Sequence, residues 1–404
     1  MGVPQIDFRP FLEVAGILDT GLSGVAVNSQ GKLPDDKAYG VEASGGVSGL
    51  HSWRHTTLGL DYRAAFSHYS TKSFYDGTNQ SLMLGITHQI TRHATFSLRE
   101  NAGLYSRNFA APMLPQTVPF DPQTTYMPTN DFFDNRTMYL STQADLAVQR
   151  STRLSFDLGA DGFLVRRRST ALYGVSGAGA RGDVQYRLSR RSTIGANYTY
   201  THFSFTGIFS STDLHGAVGS YGVRLSRTLE LSAYGGFFRV ETKFVQNVPL
   251  APAVAEILGI SIGTAVSHSI MYVQNWGARF SRTVHRGVFY VSAGHGVTPG
   301  NGLFLTSAMT NVSGGYSYTG LRRWSFNASA GYNSSDSIGN VRGSYGGYIG
   351  TLSASRQIAR SIHMILTTDA RQYSSGDFSN YNRLIYRVRI GLGYSPGDIP
   401  LRLW

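Results

Sequence analysis

The stretch LSRRSTIGANYTYTHFSF, residues 188–205, begins with an arginine pair in a short polar segment and continues in strict alternation. Successive residues of a β-strand point to opposite faces of the sheet. The alternation therefore predicts a strand that starts directly after a tight turn and has one apolar and one polar face. The two sets are Ile194, Ala196, Tyr198 and Tyr200 against Gly195, Asn197, Thr199 and Thr201.

The same arginine-containing turn occurs eight times along the chain. Each copy is flanked by about ten to fifteen residues of period-2 alternation, which is typical of antiparallel hairpins. Eight hairpins give sixteen strands, and the alternating stretches FLEVAGILDTG and RLIYRVRIGLGY near the two ends raise the count to eighteen. The count stays at sixteen if the first forty residues adopt another structure. The turns are SWRHT (52–56), TRHAT (91–95), QRSTR (149–153), SRRST (189–193), SRTLE (226–230), SRTVH (281–285), GLRRW (320–324) and SRQIAR (355–360).

The segments between successive hairpins vary in length and are rich in Gly, Asn, Asp, Pro and Ser. The two longest are 108–134 and 243–264. Beyond Tyr394 the chain continues with SPGDIPLRLW, which we interpret as a C-terminal tail at 395–404. Tight turns at one end and variable loops at the other indicate one domain over residues 1–404.

Composition excludes several classes of function. The chain has 404 residues and no Cys, so disulfides, thiolate metal sites and cysteine nucleophiles are excluded. Its net charge of +12 indicates anionic partners, but only Arg166, Arg167 and Arg168 form a run, so we expect no nucleic-acid binding. No stretch is long and apolar enough for a transmembrane helix. MGVPQIDFRP lacks the pattern of a signal peptide, and we expect a mature chain with an added Met.

The two faces of the strands differ in a way that fixes which one meets lipid. In the last strand Leu384, Ile390 and Leu392 share one parity, while Arg387 and Arg389 share the other. An Arg on the lipid face near the midplane of the bilayer costs roughly 2–4 kcal/mol, so both arginines should face the interior of a barrel. The number and length of the strands disfavour a β-sandwich. Irregular turn spacing disfavours a solenoid.

The chain resembles Gram-negative outer-membrane β-barrels of the porin type, over nearly its whole length and in architecture alone. The resemblance implies an all-β, transmembrane, antiparallel up-and-down barrel in the outer membrane, with periplasmic turns and termini and longer external loops. It also implies contact with outer-membrane lipids and lipopolysaccharide and a homo-oligomer, although no flattened strand face is recognisable. In porins the loop after the fifth strand narrows the pore. Here it is 108–134, with Asp121, Asp131 and Asp134, and the alternative is a surface loop over the mouth.

Charged residues of the polar parity are the candidate pore-lining residues. The last strands supply Arg342, Arg371, Arg387 and Arg389, and barrel closure places Glu13 and Asp19 beside them. An arginine ladder opposed by acidic groups would create a transverse field of the kind that selects ions. The other candidates are Arg63, Arg99, Arg181, Arg224, Arg279, Asp157 and Asp161.

Two short motifs match signatures of cofactor binding and of catalysis, but the predicted structure around them does not fit either signature. GAGARG (177–182) matches a dinucleotide fingerprint, yet the following DVQYRLS alternates as a strand where that motif needs a helix. GISIG (259–263) matches a nucleophile elbow, but no α/β sheet surrounds it. The eleven His form no zinc motif. We therefore predict no cofactor, no metal and no catalytic residue.

Three functional hypotheses follow from these patterns. The first is a channel for passive diffusion of small polar, anionic solutes. The second is a structural or interaction barrel, plugged by 108–134 and 243–264, that binds a protein partner or lipopolysaccharide at its rim. The third is a barrel hydrolase whose catalytic residues assemble across strands, which sequence spacing alone does not reveal.

Overall fold

The structure, a computed structural model, describes residues 5–20, 37–70, 76–106, 136–169, 172–300, 302, 304–338, 343–376, 382–396 and 399–402. Strands occupy most of this part of the chain. Within it, no helix has the length and apolar character needed to cross a membrane.

Nineteen strands and one short helix make up the fold. The first half contains β1 (Gln5–Thr20), β2 (Lys37–Ser52), β3 (Thr56–Tyr69), β4 (Gly77–Gln89), β5 (Ala94–Tyr105), β6 (Thr137–Gln149), β7 (Leu154–Arg167), β8 (Gly174–Arg187), β9 (Ser192–Thr206) and β10 (Ser210–Arg224). The second half contains β11 (Leu229–Pro249), α1 (Pro252–Leu258), β12 (Ile262–Val284), β13 (Gly287–Thr298), β14 (Thr306–Tyr318), β15 (Trp324–Ile338), β16 (Ser344–Gln357), β17 (Ile362–Ser374), β18 (Arg383–Tyr394) and β19 (Ile399–Arg402).

The strands close into an eighteen-stranded antiparallel barrel, as the alternation predicts. Every strand from β1 to β18 pairs with the next one along the chain, and β1 also pairs with β18 from Leu12↔Tyr394 to Asp19↔Arg387. The first forty residues therefore contribute strands, and the sixteen-stranded alternative is wrong. Closure pairs β1 with β18, so the first and the last strand of the barrel leave no free edge along their paired length.

The predicted C-terminal tail 395–404 contains a strand. Ile399–Arg402 forms β19, which pairs with Gln5–Phe8 of β1. The physical reason lies in strand length, because β1 has sixteen residues and β18 has twelve. The part of β1 that extends past Tyr394 would otherwise carry unpaired backbone groups, and β19 satisfies them.

All eight arginine turns join the strands that the sequence assigns to them. In several of these turns a Ser hydroxyl bonds the backbone of the turn itself, which explains why the same short pattern is repeated. The Ser189 Oγ accepts the backbone N–H groups of Arg191 and Ser192, both at 3.1 Å. Ser151 and Ser226 accept backbone N–H groups in the same way. A Ser or Thr that bonds the backbone two or three residues later stabilises a tight turn. We call this end of the barrel the turn end and the opposite one the loop end.

The outward face is apolar and the inward face polar, as predicted. In the opening stretch Ile194 and Tyr198 are exposed on the outside, while Asn197 is buried inside. Charged residues also lie among the outward side chains, and Glu100 of β5 is one of them. Glu100 is directly opposite Thr142 on β6, whose hydroxyl donates to both of its carboxylate oxygens at 2.8 and 2.9 Å.

The predicted long loop 243–264 begins with the end of β11, contains α1 and ends with the start of β12. β11 and β12 stay paired from Leu229↔Arg282 to Pro249↔Ile262. β12 pairs with β13 only up to Trp276, so this hairpin extends beyond its neighbour at the loop end. Val245 and Val266 are directly opposed in this extended part of the ladder. The helix α1 caps the hairpin, with Pro252 in its first turn and Gly259 in the left-handed conformation at its end.

Candidate functional site

The interior wall of the barrel carries the charged residues that the sequence nominates. Directly opposed residues on neighbouring strands share a face, and each described candidate lies on the face opposite the exposed apolar residues. The described candidates are Glu13, Arg63, Arg99, Asp157, Asp161, Arg181, Arg224, Arg279, Arg371, Arg387 and Arg389. Four others, Arg342, Asp121, Asp131 and Asp134, lie outside the described residues, as does the whole of 108–134.

A set of ion pairs spans the closure between β18 and β1–β2. We call Glu13, Asp19, Glu42, Arg387 and Arg389 the seam cluster. Arg387 donates to Glu42 at 2.6 Å and lies 3.8 Å from Asp19. Arg389 lies 3.0 Å from Glu42 and bonds Glu13 as well. Two arginines thus share three carboxylates across the line where the ends of the sheet meet.

Hydroxyl groups of β3, the strand next to β2, also donate to carboxylates of the seam cluster. Ser67 donates to Glu42 at 2.8 Å, and Tyr69 donates to Asp19 at 3.2 Å. Asp19 is fully buried, and side-chain exposure is 7% for Glu42 and 9% for Arg387. Buried charges persist only when partners and hydrogen bonds compensate for their lost hydration. The seam cluster meets that condition, so it belongs to the structure of the wall.

A second charged group, formed by β6–β8, has too few cations for its carboxylates. We call Asp145, Asp157, Asp161, Asp183 and Arg181 the aspartate cluster. Arg181 bonds Asp145 and lies 3.8 Å from Asp157. Asp157 is directly opposite Asp183 in the strand register. Like charges in that position destabilise a sheet, and the amide of Asn197, which donates to Asp183 at 2.6 Å, relieves part of this repulsion.

The remaining predicted arginines have individual surroundings. Arg63 pairs with Asp61 at 2.9 Å, and Arg224 pairs with Glu230 at 2.7 Å. Arg279 lies over the ring of Tyr290, 5.9 Å from its centre. Arg371 is buried and Arg99 is exposed. The expected arginine ladder is therefore largely a set of pairs.

An apolar cluster lines the inside of the barrel at the loop end of β5–β9. It consists of Tyr105, Tyr139, Phe163, Val165, Val175, Phe203 and Phe205, with Ile208 and Leu305 packed against it. Inward aromatic residues would be unfavourable beside water. Their burial shows that protein covers this part of the mouth.

The covering element is the connection between β13 and β14. The amide of Tyr173, before β8, donates to the carbonyl of Gly302 at 2.9 Å. Phe304 is fully buried and stacks on Tyr345 of β16 at 5.7 Å between ring centres. Thr306 bonds Thr212 of β10 at 2.8 Å. This connection, whose described residues 299, 300, 302 and 304–306 we call the inward segment, thus reaches from β13–β14 to the loop end of β7–β10.

Two glycines allow the inward segment to take this path. Gly300 and Gly302 have φ of 69° and 90°, where other residues are strained. A Cβ on Gly300 would lie 2.1 Å from the carbonyl oxygen of Phe304. A Cβ on Gly302 would lie 2.8 Å from the side chain of Arg167. Glycine is therefore required at both positions.

Several residues of this site carry no distinguishing signal in the sequence. Glu42 and Asp183 have the inward parity, but no sequence signal distinguishes them until the strand register is known. The segment around Gly300 and Gly302 reads only as a short turn-rich connection, and its direction into the barrel depends on the contact between Phe304 and Tyr345. The one signal for this path in the sequence is the repeated glycine, Gly300 and Gly302, shortly before Phe304.

The two discounted motifs have ordinary structural positions. GAGARG (177–182) lies within β8, where its small residues belong to a barrel strand. GISIG (259–263) follows α1 and leads into β12. A nucleophile elbow has the opposite order, strand before helix. Among the described residues, no group of three or more His, Asp or Glu is arranged to hold a metal ion.

Similar solved structures are Gram-negative outer-membrane barrels. OccK5 (OpdH) of Pseudomonas aeruginosa is 12% identical, with 98% of each chain covered and a TM-score of 0.44. OccK2 (OpdF) of the same species, solved with glucuronate, is 14% identical, with 98% of this chain and 100% of that chain covered and a TM-score of 0.46. The copper transporter OprC is 11% identical, with 99% and 66% covered and a TM-score of 0.49. At these identities the likeness concerns the fold alone.

Comparison by sequence adds no closer relative. No model of a known protein family matches the chain. No curated protein matches it either.

Proposed function

We propose that the chain is an outer-membrane channel for passive diffusion of small polar solutes. The observation that carries the proposal is Arg63, which points inward from the middle of β3 and keeps 62% of its side chain exposed. A filled interior would bury it. Eighteen strands enclose a space wide enough for an aqueous channel unless protein fills it.

The orientation of the channel belongs to the same proposal. Outer-membrane barrels have short periplasmic turns and longer external loops. The turn end, with both chain termini, would then face the periplasm, and the loop end would face outward. The inward segment would narrow the external mouth, with 108–134 and its Asp121, Asp131 and Asp134 as a further constriction.

We assign the channel a modest preference for anions. Arg99 presents an exposed guanidinium group to the lumen, which supports attraction of anions, whereas Arg63 is neutralised by its pair with Asp61. The aspartate cluster opposes it, because four carboxylates there share one guanidinium group. Glu13, Arg387 and Arg389 contribute little because they neutralise one another. Selectivity then depends on the balance between exposed arginines and the aspartate cluster.

The second candidate, an interaction barrel with a closed lumen, is favoured by one observation. The inward segment and the apolar cluster cover part of the mouth at the loop end. Such a barrel would use its rim to bind a protein or lipopolysaccharide. It differs from the first candidate in conducting no solute.

Solute flux into liposomes tests the proposal. Liposomes containing the folded barrel should swell in small neutral sugars, more slowly as sugar size increases, and slightly faster in small organic anions than in cations of equal size. Swelling no faster than in protein-free liposomes would contradict the channel. Faster swelling in the cations would contradict the anion preference alone.

A further inference from the structure

The strand β12 has one edge without a neighbour at the loop end. It stays paired with β11 as far as Ile262, but with β13 only as far as Trp276. Beyond that point β13 follows β14, and the connection after β13 turns into the barrel at Gly300. In the part of the chain that the structure describes, no strand pairs with the other side of Ile262–Tyr272. We call this stretch the free edge.

Two backbone hydrogen bonds identify the residues of β12 that face the free edge. The Leu250 amide donates to the carbonyl of Ser261 at 3.1 Å, and the Thr283 amide donates to the carbonyl of Thr228 at 2.8 Å. Ser261 and Thr283 therefore direct their backbone groups toward β11. The register between them is unbroken, so every odd-numbered residue does the same and the even-numbered residues face the other way. Six residues thus direct their N–H and C=O groups to the free edge, namely Ile262, Thr264, Val266, His268, Ile270 and Tyr272.

The sequence of the free edge lacks the residues that normally protect an exposed strand. Natural proteins place charged residues or Pro on such edges, or shorten them, because unpaired backbone groups recruit strands of other chains. IGTAVSHSIMY (262–272) has no Lys, Arg, Asp, Glu or Pro. Its outward side chains are β-branched or aromatic at every position except His268, which favours strand pairing. With eleven residues, the free edge is long enough to pair with a complete strand of another chain.

Charged side chains place this part of the hairpin outside the hydrocarbon of a membrane. The outward residues of β11 beside the free edge are Arg239, Glu241 and Lys243. Arg239 bonds Glu241, and Lys243 is exposed. Charged side chains that face lipid are costly near the midplane of a bilayer but not at its interface. Unpaired backbone groups are costly in hydrocarbon as well. The free edge therefore lies where a segment of another protein can reach it.

We propose that the free edge binds an extended segment of another protein, which pairs with β12 as an additional strand. Backbone hydrogen bonds would supply affinity, and the exposed side chains would supply specificity. Val266, Ile270 and Tyr272 are 63%, 48% and 72% exposed. The segment should therefore carry β-branched or aromatic residues opposite them. The added strand lies at the rim, so its binding does not depend on conduction by the channel.

A second copy of this chain is disfavoured as the occupant by geometry. Two barrels in one membrane stand upright, so their β12 strands run in the same direction. A two-fold axis along the membrane normal would place each N–H group of one free edge at the height of the same N–H group of the other. Strand pairing needs N–H groups opposite C=O groups. The free edge therefore favours a strand of a different protein.

A synthetic peptide that can pair through only one of its edges tests the proposal. The probe is a fluorescein-labelled peptide of about ten alternating Val and Thr residues, in which every second backbone amide is N-methylated. Methylation removes the donors of one edge, which prevents self-assembly and leaves the other edge able to pair. The control peptide is methylated at every amide. Fluorescence anisotropy measures binding to the intact, folded barrel in neutral detergent.

Two double variants separate backbone pairing from side-chain contact. V266P/I270P removes two N–H groups that face the free edge and leaves the hydrogen bonds to β11 in place. The matched control, V266T/I270T, changes the same side chains but keeps both N–H groups. Gel mobility before and after heating verifies that each barrel is folded. Hydrogen exchange of residues 262–272 in the wild type, with and without peptide, is a measurement that does not depend on the variants.

We expect one peptide per wild-type barrel and slower hydrogen exchange of the free edge when the peptide is bound. The affinity should fall about tenfold or more in V266P/I270P and stay within about twofold of the wild type in V266T/I270T. Equally tight binding of the fully methylated peptide would overturn the proposal, as would wild-type affinity in V266P/I270P. Equal losses in both variants would overturn it too, because side chains would then carry the contact. Slow exchange of the free edge without peptide, together with a mass of two chains, would identify a second copy as the occupant and overturn the assignment to a different protein.

Discussion

The seam cluster and the aspartate cluster both place carboxylates on the inner wall of one barrel, but they differ in compensation. In the seam cluster every carboxylate has a guanidinium or hydroxyl partner, and Asp19 is fully buried. In the aspartate cluster Asp157 faces Asp183 across the strands, and Arg181 serves several carboxylates. The first arrangement stabilises closure of the sheet. The second is unfavourable for stability, and we propose that its carboxylates influence which ions pass through the lumen.

Removal of one partner from the seam cluster should have the largest effect. Glu42→Gln leaves Arg387 and Arg389 short of a carboxylate in a buried place, and breaking such a pair costs about 3–5 kcal/mol. Urea unfolding of the barrel in detergent micelles measures the change. The matched control is Asp61→Asn, whose exposed pair with Arg63 should contribute about 1 kcal/mol or less. Equal losses of stability in the two variants would contradict a difference between buried and exposed ion pairs.

The inward segment lies against β7, β8 and β10, on the side of the barrel that carries the aspartate cluster. Removal of Phe304, which anchors the segment, should have the second-largest effect. Phe304→Ala removes a buried ring and should weaken the contact with β16 by about 3 kcal/mol. The segment would leave the lumen more often, so single-channel conductance should rise. Phe209→Ala, an exposed residue in another loop-end connection, is the control. Unchanged conductance in Phe304→Ala would show that the segment does not narrow the path.

Neutralising the aspartate cluster should change selectivity while leaving the barrel folded. Each charge acts on an ion about 10 Å away with roughly 0.4 kcal/mol in water, so D157N/D161N/D183N should raise the anion-to-cation permeability ratio several-fold. The reversal potential in a KCl gradient measures the ratio. Unfolding should be unaffected or shifted to higher urea. A large loss of stability would mean that this cluster is structural, like the seam cluster.

The smallest expected effect comes from a single exposed arginine of the lumen. Arg99→Gln removes one positive charge and should lower the anion preference by roughly 0.4 kcal/mol, opposite in sign to the aspartate variant. The same reversal-potential measurement detects it. Arg356→Gln, an outward arginine over the ring of Trp324, is the control and should have no effect. A shift of equal size in both variants would place the effect outside the lumen.

Much of the fold and part of the two clusters could be predicted from the sequence. The parts that could not be predicted have physical causes. The turns around residues such as Ser189 depend on local bonds, so their repetition gave the strand count and the two faces. Placing Glu13 and Asp19 beside Arg387 required only barrel closure. Glu42 could not be found, because its contact depends on the register of β1 with β2. The path of Phe304 depends on a contact between distant strands, which no local pattern encodes.

Single-channel recording of the folded wild-type barrel in a planar bilayer of neutral lipid tests whether water connects the two ends of the lumen past the inward segment. We expect stepwise conductance with a modest anion preference in the reversal potential. A membrane that contains folded barrels and shows no conductance steps would contradict it.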